Sequence, residues 1–264
     1  MTRSLKDLLS SDRVTLGTWS QIAAPELVDL IGLNGFDYTI MDCQHGIFGV
    51  DRAENLARAA DANDIGSAVR VSQNDPVEIM KALDAGIRHV VVPNVETGKE
   101  AAKAVAATRF GPHGLRGACP CCRSGGHFIR NWTDYVGREE ARTGAIALVE
   151  TVDGHRNIEA ICETGGLAAL MCGPFDLSVS MGLNGDWRHR DVQAAVTDMV
   201  GCANEKNLPV IMPVFSPDPA ECSDIMSGWQ EKGVRSFIVG SDKILIANAF
   251  AGWTVELGRS AGRN

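Results

Sequence analysis

The chain has 264 residues, 45% hydrophobic and 22% charged, the proportions of an ordinary globular protein, which speaks against a disordered or fibrous class. A formal net charge of -8 argues against nucleic acid as a partner but leaves room for a small anion held by local positive charge. No stretch approaches the roughly 18 to 20 apolar residues of a membrane span, and Met1 to Ser20 lacks a continuous apolar leader core, so a cytoplasmic protein without a membrane partner is expected.

Short apolar, β-rich runs alternate with helical spacing along nearly the whole length. The run Val14–Trp19 precedes a helical pattern over Pro25–Leu33, and Asp37–Met41 precedes one over Arg52–Ala62. Ser67–Val71 leads to Pro76–Ala85, and His89–Pro93 to Gly98–Thr108. In the second half Ala145–Glu150 leads to Gly154–Glu163, Ala168–Cys172 to Val192–Glu205, Leu208–Pro213 to Pro219–Lys232, and Ser236–Gly240 to Asp242–Ala251. Continuous apolar strands alternating with helices imply a parallel sheet covered on both sides. Eight such units predict a closed (β/α)8 TIM barrel, one domain over 1–264, for which about 250 residues is the usual length. Residues 109–143 break the rhythm. Rich in Gly, Arg and Cys and too long for a connector, they read as an insertion on the carboxyl side of the barrel, lining the active site or a subunit contact.

Candidate chemistry collects at strand ends. Glu150 closes one apolar run, and Asp176 follows another across Gly173-Pro174; two such carboxylates can converge on one divalent cation, with an Arg partner and a helix cap as their ordinary alternatives. Asp42-Cys43-Gln44-His45-Gly46 ends the second strand, where a His can accept a proton near neutral pH and an Asp can fix its tautomer and raise its basicity. Arg70 ends the third, suited to clasp a carboxylate, or to an ion pair with Glu150 or Asp42. Cys119-Pro120-Cys121-Cys122, with His113 and His127 nearby, holds the one Cys-x-x-Cys spacing in the chain. A structural zinc site usually takes two such pairs. The remaining cysteines are scattered singly and imply no disulfide framework.

The combination resembles the HpcH/HpaI aldolases, class II pyruvate aldolases of the phosphoenolpyruvate/pyruvate barrel superfamily. The match runs almost end to end. It includes Gly17-Thr18-Trp19, Gly35-Phe36-Asp37, Asp42-x-x-His45, Val69-Arg70, Leu83-Asp84-Ala85-Gly86, Arg109-Phe110-Gly111-Pro112 with Gly114-Leu115-Arg116-Gly117, Glu150-Thr151, Gly173-Pro174-x-Asp176-Leu177-Ser178 and Gly240-Ser241-Asp242. The resemblance implies a lyase that splits a 4-hydroxy-2-oxo acid into pyruvate, or a close analogue, and an aldehyde. It makes Glu150 and Asp176 the ligands of a divalent ion (Mg2+, Mn2+ or Co2+), which chelates the 2-oxo acid and stabilises its enolate. His45, Arg70, Asp42 and Asp84 fall in the catalytic set, and Trp19, Arg70, Gly173, Pro174, Phe175 and Arg116 in the substrate-binding set. It also implies a homo-oligomer, often a hexamer with exchanged C-terminal helices. Two positions depart from the common pattern: Gln44 stands where Glu is usual, and Leu148 where Gln is frequent. They bear on proton transfer and on metal-bound water rather than on the ligands. The rival readings are a citrate-lyase-like enzyme acting on an acyl-CoA, disfavoured by the lack of a basic patch for CoA phosphates, and a non-catalytic barrel binding metal or thiols through Cys119 to Cys122.

Overall fold

A computed structural model describes residues 5–260. The strands are β1 (Thr15–Ser20), β2 (Tyr38–Asp42), β3 (Gly66–Arg70), β4 (His89–Val92), β5 (Gly144–Val149), β6 (Leu167–Cys172), β7 (Val210–Val214) and β8 (Ser236–Ser241), and they close into one barrel in chain order. Every adjacent pair is parallel, β1 with β8 included. The helices are α1 (Leu5–Leu9), α2 (Pro25–Leu33), α3 (Val50–Ala62), α4 (Pro76–Asp84), α5 (Gly98–Ala107), α6 (Trp132–Arg142), α7 (Val152–Arg156), α8 (Ile158–Cys162), α9 (Pro174–Ser180), α10 (Arg190–Glu205), α11 (Pro219–Gln230) and α12 (Asp242–Ser260). The predicted single-domain TIM barrel is what forms.

Alternation along the strands builds two cores. One face of each strand points outward, so that Met41, Val69, Val90, Ala147, Leu170 and Met212 pack against the helices. The other face fills the barrel with Trp19, Tyr38, Ile40, Ala68, Val91, Ile146, Leu148, Met171, Ile211 and Ile238, and α1 stoppers the amino end with Leu5, Leu8 and Leu9. Gly17 is fixed by this packing: a Cβ there would lie 2.2 Å from the Tyr38 ring. Helix starts are set by local chemistry. Asp75 accepts from Val77 N and Glu78 N to open α4, and Thr97 with Glu100 forms a capping box on α5.

Three differences from the sequence pattern have physical causes. The single helix expected over Gly154–Glu163 is broken at Asn157 into α7 and α8. The last helix runs on to Ser260, and of its nineteen residues only Asp242 is buried; Phe250, Trp253 and Leu257 are 67%, 69% and 58% exposed.

The third concerns residues 109–143, which do not extend from the carboxyl end. They leave the C-terminus of α5, and because barrel helices run antiparallel to their strands, that point lies at the amino end. There the segment builds its own small core: Phe110, Trp132 and Tyr135 pack ring against ring at centroid distances of 5.1 to 5.9 Å. Arg123 straps it to the barrel by donating to Ala85 O and Asp61 Oδ2, both at 2.8 Å. Among the described residues no helix is long and apolar enough to cross a membrane.

Candidate active site

The inward-facing positions at the carboxyl ends of the strands gather the polar residues. On β2, Asp42 follows Ile40 inward and is fully buried; on β3, Arg70 follows Ala68 inward and is 8% exposed. The two pair bidentately, Arg70 Nε to Asp42 Oδ1 at 2.9 Å and Nη2 to Oδ2 at 2.7 Å. The guanidinium stacks on the Trp19 ring 4.3 Å away, so Trp19 orients Arg70. Nη1 makes no hydrogen bond with another described residue and is the donor left for a ligand.

Asp42 does not touch the His45 imidazole, contrary to the expectation that it would fix that ring's tautomer. Its Oδ1 accepts from the backbone N–H groups of Gln44 and His45, each at 3.1 Å, and its Oδ2 from Gln21 Nε2 at 2.9 Å, which together with Arg70 occupies the carboxylate. Asp42 therefore shapes the loop that carries an exposed His45, and His45 makes no side-chain hydrogen bond among the described residues. Burial, the largest influence on Asp42, pushes its pKa up, but the bonds and charge of Arg70, Gln21 and the His45 N–H outweigh it and hold the net below the ordinary value.

On β5 the inward series Ile146, Leu148 continues to Glu150, which is 4% exposed. Its Oε1 accepts from Asn94 N at 3.0 Å. The neighbouring strand makes room for it, since a Cβ on Gly173 would stand 2.5 Å from Glu150 Cβ and 3.0 Å from Oε2. Pro174 opens α9, and Asp176 lies exposed in the first turn of that helix, whose N-cap is Gly173, so Asp176 is not the cap. Phe175 lies 51% exposed against Gly185. Burial first, then the charge of Asp176, pushes the Glu150 pKa up to about 7, against a lowering by Asn94 N–H and Arg70. A buried carboxylate whose ionisation is made costlier by burial and by a neighbouring carboxylate suits a hard divalent cation, which would relieve both effects.

Asp84 and Arg116 lie elsewhere. Asp84 ends α4 at the amino end of the barrel, where it accepts from Arg116 Nη2 at 2.8 Å; Arg116 also meets Glu139 at 3.3 Å and stacks on Phe110 at 4.5 Å. With its side chain fully buried, Arg116 organises the 109–143 segment and does not reach the strand-end site of its own chain. The cysteines of that segment form no metal centre: among the described residues no group of three or more His, Cys, Asp or Glu is placed to hold a metal, which removes support from the zinc-module reading. Three contributors had no site role expected from the sequence. Gln21 and Asn94 are given above. Asp242, buried at the end of β8, accepts from Gln21 N and Ile22 N at 2.9 Å each and so fastens the loop that delivers Gln21. Gln21 was legible as the next inward position after Trp19; the backbone roles of Asn94 and Asp242 were not.

The protein is an enzyme of the carbon–carbon lyase class, as its relatives show, and its barrel gathers the two carboxylates, the Arg–Asp pair and the solvent-facing His at the carboxyl end. The chain belongs to the HpcH/HpaI aldolase/citrate lyase family, whose model matches residues 15–249, and it is an aldolase of the metal-dependent type. It is 31% identical over 237 residues to 5-keto-4-deoxy-D-glucarate aldolase of Klebsiella pneumoniae and 32% identical to that of Salmonella arizonae, covering 90% of each chain in both cases. Among solved structures it is similar to an HpcH/HpaI aldolase/citrate lyase family protein from Burkholderia cenocepacia, with a TM-score of 0.88 at 28% identity, over 96% of this chain and 98% of that one.

Proposed function

We propose that the protein cleaves a 4-hydroxy-2-oxo acid reversibly to pyruvate, or a close analogue, and an aldehyde. The observation that carries this reading is a two-carboxylate couple, Glu150 and Asp176, within electrostatic reach of Arg70, whose Nη1 is uncommitted. A 2-oxo acid needs that combination. Arg70 Nη1 donates to the substrate carboxylate, while Asp42 and Trp19 hold the guanidinium in one plane. A divalent ion on Glu150 and Asp176, Mg2+, Mn2+ or Co2+, supplies Lewis-acid polarisation of the keto oxygen when bound. His45 takes the proton of the 4-hydroxyl as the C3–C4 bond breaks and then returns it to C3, which completes pyruvate. Gln44 keeps that proton path free of the extra negative charge that a Glu would add.

Asp84 and Arg116 take part only at the site of a second copy, since in their own chain they occupy the opposite end. The exposed Phe250, Trp253 and Leu257 of α12 support a homo-oligomer, a hexamer with exchanged C-terminal helices. Free thiols at all eight cysteines fit a cytoplasmic setting.

The test is exchange of pyruvate C3 protons in deuterated water, followed by NMR without aldehyde. Metal-loaded wild type should exchange, chelation should stop it, and His45→Ala should slow it by about 10²- to 10⁴-fold. Exchange at the wild-type rate by His45→Ala would remove His45 from the proton path, and exchange by Glu150→Ala under chelation would remove the metal couple.

A further inference from the structure

Three of the eight cysteines stand apart from the rest. Cys43, Cys162, Cys172 and Cys222 are buried, and burial pushes the thiols of Cys43 and Cys172 up to about 12, which keeps them protonated and inert. Cys119 and Cys121 are exposed and Cys122 is half-buried, and all three lie in one turn, residues 119–122, at the amino end of the barrel.

The turn is anchored. Pro120 O accepts from Ile129 N at 2.9 Å, and Cys122 O accepts from His127 N at 2.9 Å and from Gly125 N at 3.2 Å. The ends of such a turn lie within about 7 Å, Cα to Cα, and a disulfide spans about 4.4 to 6.8 Å, so Cys119 and Cys122 are spaced for one. Cys122 Sγ already reaches back to Cys119 O at 3.3 Å. Cys121 and Cys122, consecutive in the chain, have Cα atoms about 3.8 Å apart, too close for an unstrained bridge. Beside the turn opens a cleft of about 920 Å³, lined by Cys121, Cys122 and His127 and by Val77, Lys81 and Asp84 of α4, through which a small sulfur compound can reach the thiols.

The reduced Cys122 Sγ belongs to a network. It lies 3.2 Å from Ser124 Oγ and 3.6 Å from Tyr135 OH, which are 2.7 Å from each other. Both hydroxyls accept from Arg116 Nη2, at 3.5 and 3.4 Å, the same nitrogen that holds Asp84 at 2.8 Å.

We propose that Cys119 and Cys122 are a reversible dithiol–disulfide site, oxidised by a low-molecular-weight disulfide, and that the change is passed through Ser124 and Tyr135 to the Arg116–Asp84 pair. The Cys119 thiolate attacks one sulfur of the small disulfide, releasing one thiolate and leaving a mixed disulfide; the Cys122 thiolate then attacks Cys119 Sγ and releases the second. Two electrons pass to the small disulfide, the two thiol protons go to the two released thiolates, and one S–S bond forms as one breaks. The new bond removes the thiol hydrogen of Cys122 and turns its sulfur out of the network, so Arg116 Nη2 is shared anew among Asp84 and the two hydroxyls. Disulfides of this transient kind are the ones compatible with a reducing compartment. The site goes beyond the aldolase reading and does not depend on it.

The experiment equilibrates the full chain with reduced and oxidised glutathione at graded ratios, then quenches with acid, alkylates and maps the thiols by mass spectrometry. At oxidising ratios wild type should lose two hydrogens, with Cys119 and Cys122 the residues that escape alkylation, and dithiothreitol should restore both. Cys121→Ser should behave as wild type, and Cys119→Ser should form no intramolecular bond. Of the chain's two tyrosines, Tyr38 lies inside the barrel, so the near-ultraviolet difference spectrum between oxidised and reduced protein should carry a Tyr135 band that Cys119→Ser and Tyr135→Phe both lose. Alkylation of Cys119 and Cys122 at every ratio, or a bridge through Cys121 instead, overturns the site. A disulfide between Cys119 and Cys122 that leaves the tyrosine spectrum unchanged overturns the relay.

Discussion

Replacing Gly173 by Ala isolates the placement of Glu150. Gly173 has φ of -110°, which Ala adopts without strain, so the substitution acts through the added methyl alone. That methyl would stand 2.5 Å from Glu150 Cβ, 3.0 Å from Glu150 Oε2 and 3.3 Å from Leu148 Cδ1. Carbon contacts are comfortable at about 3.5 to 4.0 Å, so the carboxylate side chain must move by about 1 Å. Crowding of this kind in a packed interior costs about 1 to 3 kcal/mol. At about 2 to 4 °C per kcal/mol for a chain of this size, Tm should fall by about 2 to 12 °C. The effect on cation binding should be disproportionate: displacing one of two protein ligands should weaken Mn2+ by at least the roughly 10- to 100-fold seen when a ligand's support is removed. Calorimetric titration of Mn2+ into the apo proteins, with thermal melts alongside, measures both. Wild-type Mn2+ affinity in a Gly173→Ala protein that melts normally would show that Glu150 is not a ligand, or that Gly173 does not place it.

Four further outcomes follow from the geometry. In metal-free protein the raised pKa of Glu150 means that the folded state keeps a proton between about pH 4.5 and 7 that the unfolded state has lost, so stability declines as pH rises through that window by up to about 3 kcal/mol. Urea midpoints at pH 4 and 8 under chelator should show this slope reduced in Glu150→Gln, and equal slopes would refute it. His89 shows the opposite sign: fully buried, with neither ring nitrogen partnered, it is pushed down to about 3, first by burial and then by the charges of Lys6 and Arg88. Its contribution is lost as pH falls from 6.5 toward 3, and His89→Leu should move the acid-unfolding midpoint, followed by circular dichroism, to lower pH. Asp42→Ala strands a buried guanidinium and should destabilise by about 3 to 5 kcal/mol in urea unfolding, whereas a loss under about 1 kcal/mol would mean the pair is hydrated. Changing Cys119, Cys121 and Cys122 together to Ser should leave metal content unchanged by elemental analysis; loss of bound metal would revive the zinc-module reading.

The fold was legible because each strand is a short apolar run and each helix restores a period near 3.6, so eight repeats could be counted before closure was seen. Strand limits shifted by one or two residues, as with Val14–Trp19 becoming Thr15–Ser20, because hydrogen bonding rather than apolarity ends a strand. The placement of 109–143 went wrong for a reason already present in the sequence. A helix over Gly98–Thr108 carries the chain back to the amino end, so whatever follows it starts there. The site residues were legible as types at strand ends, but their partners were not. Sequence spacing put Asp42 three residues from His45; an Asp in that position bonds the following backbone N–H groups, and the ring it was expected to steer makes no hydrogen bond with it. Arg116 was expected at the substrate, whereas the aromatic packing of Phe110, Trp132 and Tyr135 makes it interior to the 109–143 segment.

The hold of Asp242 on Gln21 and Ile22 has a consequence for the order in which the enzyme comes into being. A ribosome delivers Asp42, His45 and Arg70 long before β8, yet the loop that steadies Asp42 is tied down by a residue that follows that strand. A nascent chain halted between Asp176 and β8 holds most of the chemical groups, with neither the bond from Asp242 nor the closing strand that makes an inside. Competence therefore arrives late and all at once, and shortened translation products should be inert rather than partly active.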